Sequence, residues 1–217
     1  MTRSKLATAA AQITVVVDGP QEPREVLVLA HGAGASLDSP FMDFFAEALS
    51  SDTRAVARFN FAYMEVGRKS PDRQEVSERT YAEVVDHLRS TVEPKRLLVG
   101  GKSYGGRIAS HAVASGMQVD GLVFLGYPLH PPGRPDRIRD AHLYDIATPM
   151  LFLAGTRDPF CPLPTLEKVV ANLIAPSEVA VIDDGDHSLK VRKSSGRDTE
   201  AAWSEAARAI DDWLSRT

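Results

Sequence analysis

The chain has 217 residues, 43% of them hydrophobic and 25% charged, which suits one globular domain with a substantial core. Its formal net charge of −4 argues against a general nucleic-acid binder, and no apolar run is long enough to span a membrane. Cys161 is the only cysteine, so an internal disulfide and a thiolate metal cluster from one chain are both excluded.

Residues 1–11 are small and polar and are expected to form a loose tail, leaving a single domain over 12–217. The first residues lack an apolar segment of the kind a signal peptide needs, and a reducing cytoplasm is the simplest home for a single thiol. Ile13 to Val17 is β-branched and stops at Asp18-Gly19-Pro20, a strand followed by a turn. Val26 to Ala30 is a continuous apolar run, as in a parallel strand covered on both faces. It opens into the small-residue loop His31-Gly32-Ala33-Gly34-Ala35. Ser39-Pro40 reads as an N-cap with proline at the first helical position, and Phe41, Phe44, Phe45, Ala48 and Leu49 follow at helical spacing.

Ala55 to Phe61 is the next strand, and the polar stretch from Glu65 to Arg73 is a surface loop. Tyr81, Val84, Val85, Leu88 and Val92 mark a helix stopped by Pro94. The apolar run ending at Gly100 leads into Gly101-Lys102-Ser103-Tyr104-Gly105, after which a helical pattern begins at once. That is G-x-S-x-G between a strand and a helix, the setting of a nucleophile elbow. Further strands lie at Gly121–Tyr127, Pro149–Gly155 and Glu178–Ile182, with helices over 164–173 and around Trp203 to Leu214. Strands alternating with amphipathic helices imply an α/β fold, a mostly parallel sheet with helices on both faces. In such sheets functional loops lie at the carboxyl ends of the strands, where the elbow also sits.

A serine hydroxyl needs a base within hydrogen-bond reach, and the base needs an orienting group. Ser103, Asp158 just past one strand and His187 just past the last strand follow the chain order Ser, Asp, His. Asp145 lies at the wrong end of its strand. Asp183, Asp184 and Asp186 sit too close along the chain to His187 and are expected to solvate the loop. His87, His111, His130 and His142 are expected to be structural, and His31 to brace its loop. For a tetrahedral oxyanion one donor is the N–H of Tyr104; the other is that of Ala33 or Gly34, with Ala33 preferred. The loop lacks the spacing of a phosphate-binding glycine turn. Arg134, Arg137, Arg139 and Arg157 either attract an anionic substrate or are solvated loop cations, the second being the simpler reading.

Leu29 to Ala35, Gly100 to Arg107, Gly126 to Gly133 and Gly155 to Asp158 together resemble the α/β-hydrolases. The likeness is to a branch holding dienelactone-hydrolase-like proteins and the testis-expressed and NSL-complex regulatory-subunit relatives. It implies serine-hydrolase machinery at Ser103, Asp158 and His187 but no particular substrate. That machinery needs no cofactor or metal and is expected to act on a small-molecule ester, with thioester, lactone or amide cleavage open to the same residues. Dienelactone hydrolases use cysteine at the elbow, where this chain has Ser103. The short proline-rich connection from Pro128 to Pro135 leaves no room for a multi-helix cap. The regulatory-subunit relatives raise one alternative, a non-catalytic interaction module on the same fold.

Overall fold

A computed structural model describes residues 1–217. Its strands are β1 (Thr2–Ala7), β2 (Gln12–Asp18), β3 (Glu25–Ala30), β4 (Arg54–Phe59), β5 (Arg96–Lys102), β6 (Gly121–Leu125), β7 (Met150–Gly155) and β8 (Ser177–Ile182). They form one sheet in the order β1-β2-β4-β3-β5-β6-β7-β8. The strands from β4 to β8 run parallel, and β1 and β2 are antiparallel additions at one edge. This is the α/β-hydrolase fold.

The helices are α1 (Pro40–Leu49), the single turn α2 (Ala62–Glu65), α3 (Gln74–Thr91), α4 (Tyr104–Ala114), α5 (Leu163–Val170) and α6 (Thr199–Leu214). Successive side chains of a strand point to opposite faces, and β3 shows the consequence. Val26, Val28 and Ala30 join Tyr81, Val84, Leu88 and Ile108 in one core. Leu27 and Leu29 join Phe41, Phe45, Ile210 and Trp213 in the other. Helices α3, α4 and α5 therefore cover one face, and α1 and α6 the other. No helix is long and apolar enough to cross a membrane.

The N-terminus departs from the expected loose tail. Thr2–Ala7 pairs antiparallel with β2, from Thr2 opposite Val17 to Ala7 opposite Gln12. Its side chains are mostly exposed, so it carries no apolar alternation that would mark a strand. Backbone pairing to the free edge of β2 orders it, and Lys5 adds bonds of 2.8 Å to both Thr14 and Glu65. Two helix starts also differ. Pro40 is the first residue of α1, yet Ser39 makes no side-chain capping bond. α3 begins at Gln74, two turns before its apolar stripe; Ser77 and Thr80 in those turns are buried although polar, so the hydrophobic spacing does not report them.

Candidate active site

Ser103 stands between β5 and α4 with φ 50° and ψ −110°, a left-handed conformation rarely occupied by residues other than glycine. Such strain costs on the order of 1–3 kcal/mol and persists only where the surroundings hold it. Here Ser103 N–H donates to Leu125 O at 3.1 Å, and Arg107 N–H donates to Ser103 O at 3.0 Å. The flanking glycines allow the packing that clamps the turn. A Cβ on Gly101 or on Gly105 would stand 2.2 Å from the carbonyl oxygen of Ala30, so β3 could not lie this close to either.

His187 Nε2 is 2.8 Å from Ser103 Oγ, and His187 Nδ1 is 2.8 Å from Asp158 Oδ2. The three groups expected at the strand ends thus stand in one hydrogen-bonded line. Asp158 is fully buried at its side chain, and its other oxygen accepts the Phe160 N–H at 2.8 Å. The carboxylate is therefore aimed from both sides. Phe160 also stands edge-on to the His187 ring, with centroids 4.7 Å apart.

The loop that presents His187 is braced by the acids expected to solvate it. Asp186 accepts the N–H groups of Ser188 and Lys190 at 2.7 and 3.0 Å. Asp184 is buried and pairs with Arg157 and Arg192. These carboxylates are structural rather than solvating, because the tight turn leaves backbone donors that only they reach. Arg157 is correspondingly engaged, bonding Asp184 O at 3.0 Å, and does not stand free for a substrate. Trp203 of α6 closes the loop from outside, donating to Ser188 O at 2.9 Å.

Ala33 and Gly34 lie in an exposed turn after β3, with the Ala35 N–H donating to Gly32 O at 3.1 Å. Tyr104 is the first residue of α4, so its N–H is among those a helix leaves unpaired. His31 anchors the turn from below, as expected of a bracing residue. Its Nε2 accepts the Phe61 N–H at 3.2 Å, and its Nδ1 donates to Gly32 O at 2.8 Å. Those bonds require the neutral ring, and burial pulls its pKa down to about 4 against the Gly32 bond that favours the charged form. The Tyr63 hydroxyl is buried beside Gly34 without closing a full hydrogen bond.

Two residues at the site carry no signal that a spacing rule would pick out. Lys102, the variable position before the serine, reaches beneath His187, with Nζ 3.4 Å from its carbonyl oxygen and 5.3 Å from the Phe41 ring. Burial holds its pKa below the usual lysine range, although Asp158 and Asp186 oppose that shift. Arg107 lies one helical turn past Ser103, its guanidinium 5.8 Å from the Tyr104 ring. His111 and His142 stack at 3.6 Å, and Ser110 and Tyr127 bond His142, so these two histidines are built into the structure rather than into the Ser103 line.

Residues 23–215 match the model of a family described as an alpha/beta hydrolase domain. Among solved structures, an alpha-beta serine hydrolase homologue from Coxiella burnetii superposes with a TM-score of 0.77 at 17% identity, covering 95% of each chain. A serine hydrolase without a lid from Xanthomonas campestris gives 0.76 at 17% identity, covering 98% of this chain and 94% of that one. A dienelactone hydrolase from Anabaena variabilis gives 0.77 at 18%, covering 99% and 96%. At these identities the likeness is one of fold.

Proposed function

The chain belongs to the alpha/beta hydrolase domain family, and on that premise we propose that it is a serine hydrolase cleaving a carboxylic ester or thioester. The observation that carries this reading is the pair of 2.8 Å contacts linking Ser103, His187 and Asp158. Ser103 Oγ attacks the carbonyl carbon while His187 Nε2 takes its proton, and Asp158 holds the imidazolium through Nδ1–H. The oxyanion is met by the N–H groups of Tyr104 and Ala33, with Gly34 the other candidate for the second donor. His187 then returns the proton to the leaving group, and an acyl-enzyme on Ser103 remains. Water, deprotonated by His187, releases the acid and restores the serine.

Within the family we place the chain in the dienelactone-hydrolase-like branch, on the residues of its four loops. Serine in place of their cysteine at position 103 favours ester chemistry of its own rather than the dienelactone reaction. The connection between β6 and β7 holds only the five-residue 3-10 turn Ala141–Asp145, which suits an open site taking a small molecule. A cytoplasmic setting, where Cys161 stays reduced, belongs to the same reading.

Replacement of Ser103 by alanine tests it. Turnover of short p-nitrophenyl esters should fall by about 10⁴-fold or more with the fold intact, as for other serine nucleophiles. Unchanged turnover would remove Ser103 from the chemistry. A non-catalytic module related to the regulatory subunits would turn over no ester at all.

A further inference from the structure

One charged cluster beside the serine has no carboxylate partner in the fold. Arg107 donates only to neutral acceptors, Gln74 Oε1 at 3.0 Å and His111 Nε2 at 3.1 Å. By contrast Arg54, Arg58, Arg96, Arg157 and Arg192 each pair with at least one carboxylate. No carboxylate lies within ion-pair distance of Arg107, Arg137 or Arg139. The nearby acids are already engaged: Asp72 with Arg68, Glu78 with the Gln74 amide, and Asp140 with the Tyr144 hydroxyl.

Arg107 also stands next to the nucleophile, one helical turn past Ser103, with its guanidinium 5.8 Å from the ring of Tyr104. Side chains on a helix lean toward its N-terminus, so Arg107 covers the turn that begins at Ser103 and Tyr104. Gln74 begins α3, and Arg139 lies just beyond the proline-rich connection, its N–H donating to Leu129 O at 2.7 Å. Arg139 is close enough to Arg107 for the two like charges to repel. Because arginine only donates, His111 Nε2 is an acceptor, and the proton of the neutral ring sits on Nδ1. Desolvation, His142 and the nearby arginines push His111 down to about 3, which keeps that ring neutral. Desolvation and repulsion from Arg107 and Arg137 also lower the Arg139 pKa. Arg107 and Arg139 thus place cations without carboxylate partners beside the serine turn of a protein whose net charge is −4.

We propose that Arg107, Arg139 and the Nδ1–H of His111 form a receptor for an anionic group, a carboxylate or phosphate, carried by the substrate away from the scissile bond. The inference rests on the ester-hydrolase reading of Ser103 and names its substrate class. Guanidinium forks match both anions with paired charge-assisted hydrogen bonds. Bound there, the anion would orient the acyl group over Ser103 and relieve the repulsion among the arginines.

The test compares p-nitrophenyl hemisuccinate with the neutral p-nitrophenyl butyrate. The ratio of kcat/KM for the anionic over the neutral ester should fall at least about ten-fold in Arg107→Gln, chiefly through KM, and in part in Arg107→Lys. Arg139→Gln, on the exposed connection, should lower the same ratio and guards against misfolding of the first variant. A ratio equal in wild type and both glutamine variants would overturn the receptor. If neither ester is turned over, the ester reading fails by itself, and calorimetric titration of Ser103→Ala with succinate and with inorganic phosphate decides the receptor. Saturable binding of either anion that Arg107→Gln weakens about ten-fold supports it and identifies the preferred anion; binding of neither overturns it.

Discussion

A Cβ on Gly126 would stand 2.5 Å from the carbonyl oxygen of His187. Gly126 has φ +72° and lies directly past β6, so the sheet and the imidazole loop meet with no side chain between them. The position of His187 is thus set by the absence of a methyl group two strands from its own. Gly126→Ala should push the loop outward and lengthen the contact with Ser103. A displacement of about 1 Å can cost 10²-fold in rate, so kcat should fall by about that factor while the circular-dichroism spectrum stays native. Steady-state kinetics alongside thermal unfolding checks this, and unchanged kcat would mean that the loop is not seated by this contact.

Asp158 makes one bond to His187 and one to the Phe160 N–H, and its side chain is fully buried. Asparagine at 158 has the same shape but presents no charge to an imidazolium. It can also turn an N–H toward the ring and select the wrong tautomer. Asp158→Asn should lower kcat by about 10³- to 10⁴-fold with KM little changed. Equal loss in kcat and in stability would point to a packing role instead.

His31 gives a signed pH dependence of stability. Its folded pKa is lowered to about 4 from 6.5, so below pH 6.5 the unfolded chain binds a proton that the folded chain refuses. The stability associated with the neutral ring is full above pH 6.5 and is lost as pH falls through about 4. The loss amounts to on the order of 3 kcal/mol over that window. Urea unfolding at pH 7 and pH 5 should show the decline. His31→Gln should flatten part of it, and an identical slope in that variant would contradict the assignment.

Cys161 is buried with no exposed surface, and burial together with the adjacent Asp158 pushes its thiol well above the usual range. A thiolate is the reactive form, so the folded protein should resist iodoacetamide at neutral pH while the urea-unfolded protein reacts stoichiometrically. Rapid alkylation of native protein would place Cys161 on the surface.

Much of this architecture is legible in the residues themselves, for identifiable reasons. Runs such as Val26 to Ala30 and Leu122 to Leu125 have one reading in a two-faced sheet, and they fix where each loop emerges. The glycines at 101 and 105 mark a close approach that only a strand-to-helix turn needs. Once the strand ends were known, Ser103, Asp158 and His187 had to converge. What the residues did not reveal depends on contacts without a periodic signature. Thr2–Ala7 forms its strand through backbone bonds that no side-chain pattern reports. The roles of Asp184 and Asp186 depend on which backbone N–H groups a turn leaves unpaired. Arg107 closes the stretch Gly100 to Arg107, yet its lack of a carboxylate is a property of the folded neighbourhood alone.

The central claim is that Ser103 is a nucleophile activated by His187. Incubation of the folded protein with a fluorophosphonate, followed by intact-mass and peptide mass spectrometry, tests it most directly. One phosphonyl adduct per chain is expected, located on Ser103 and absent from Ser103→Ala, with labelling strongly slowed in His187→Ala. A folded wild-type protein that takes no label while a known serine hydrolase labels alongside it, or an adduct that persists in Ser103→Ala, would contradict it.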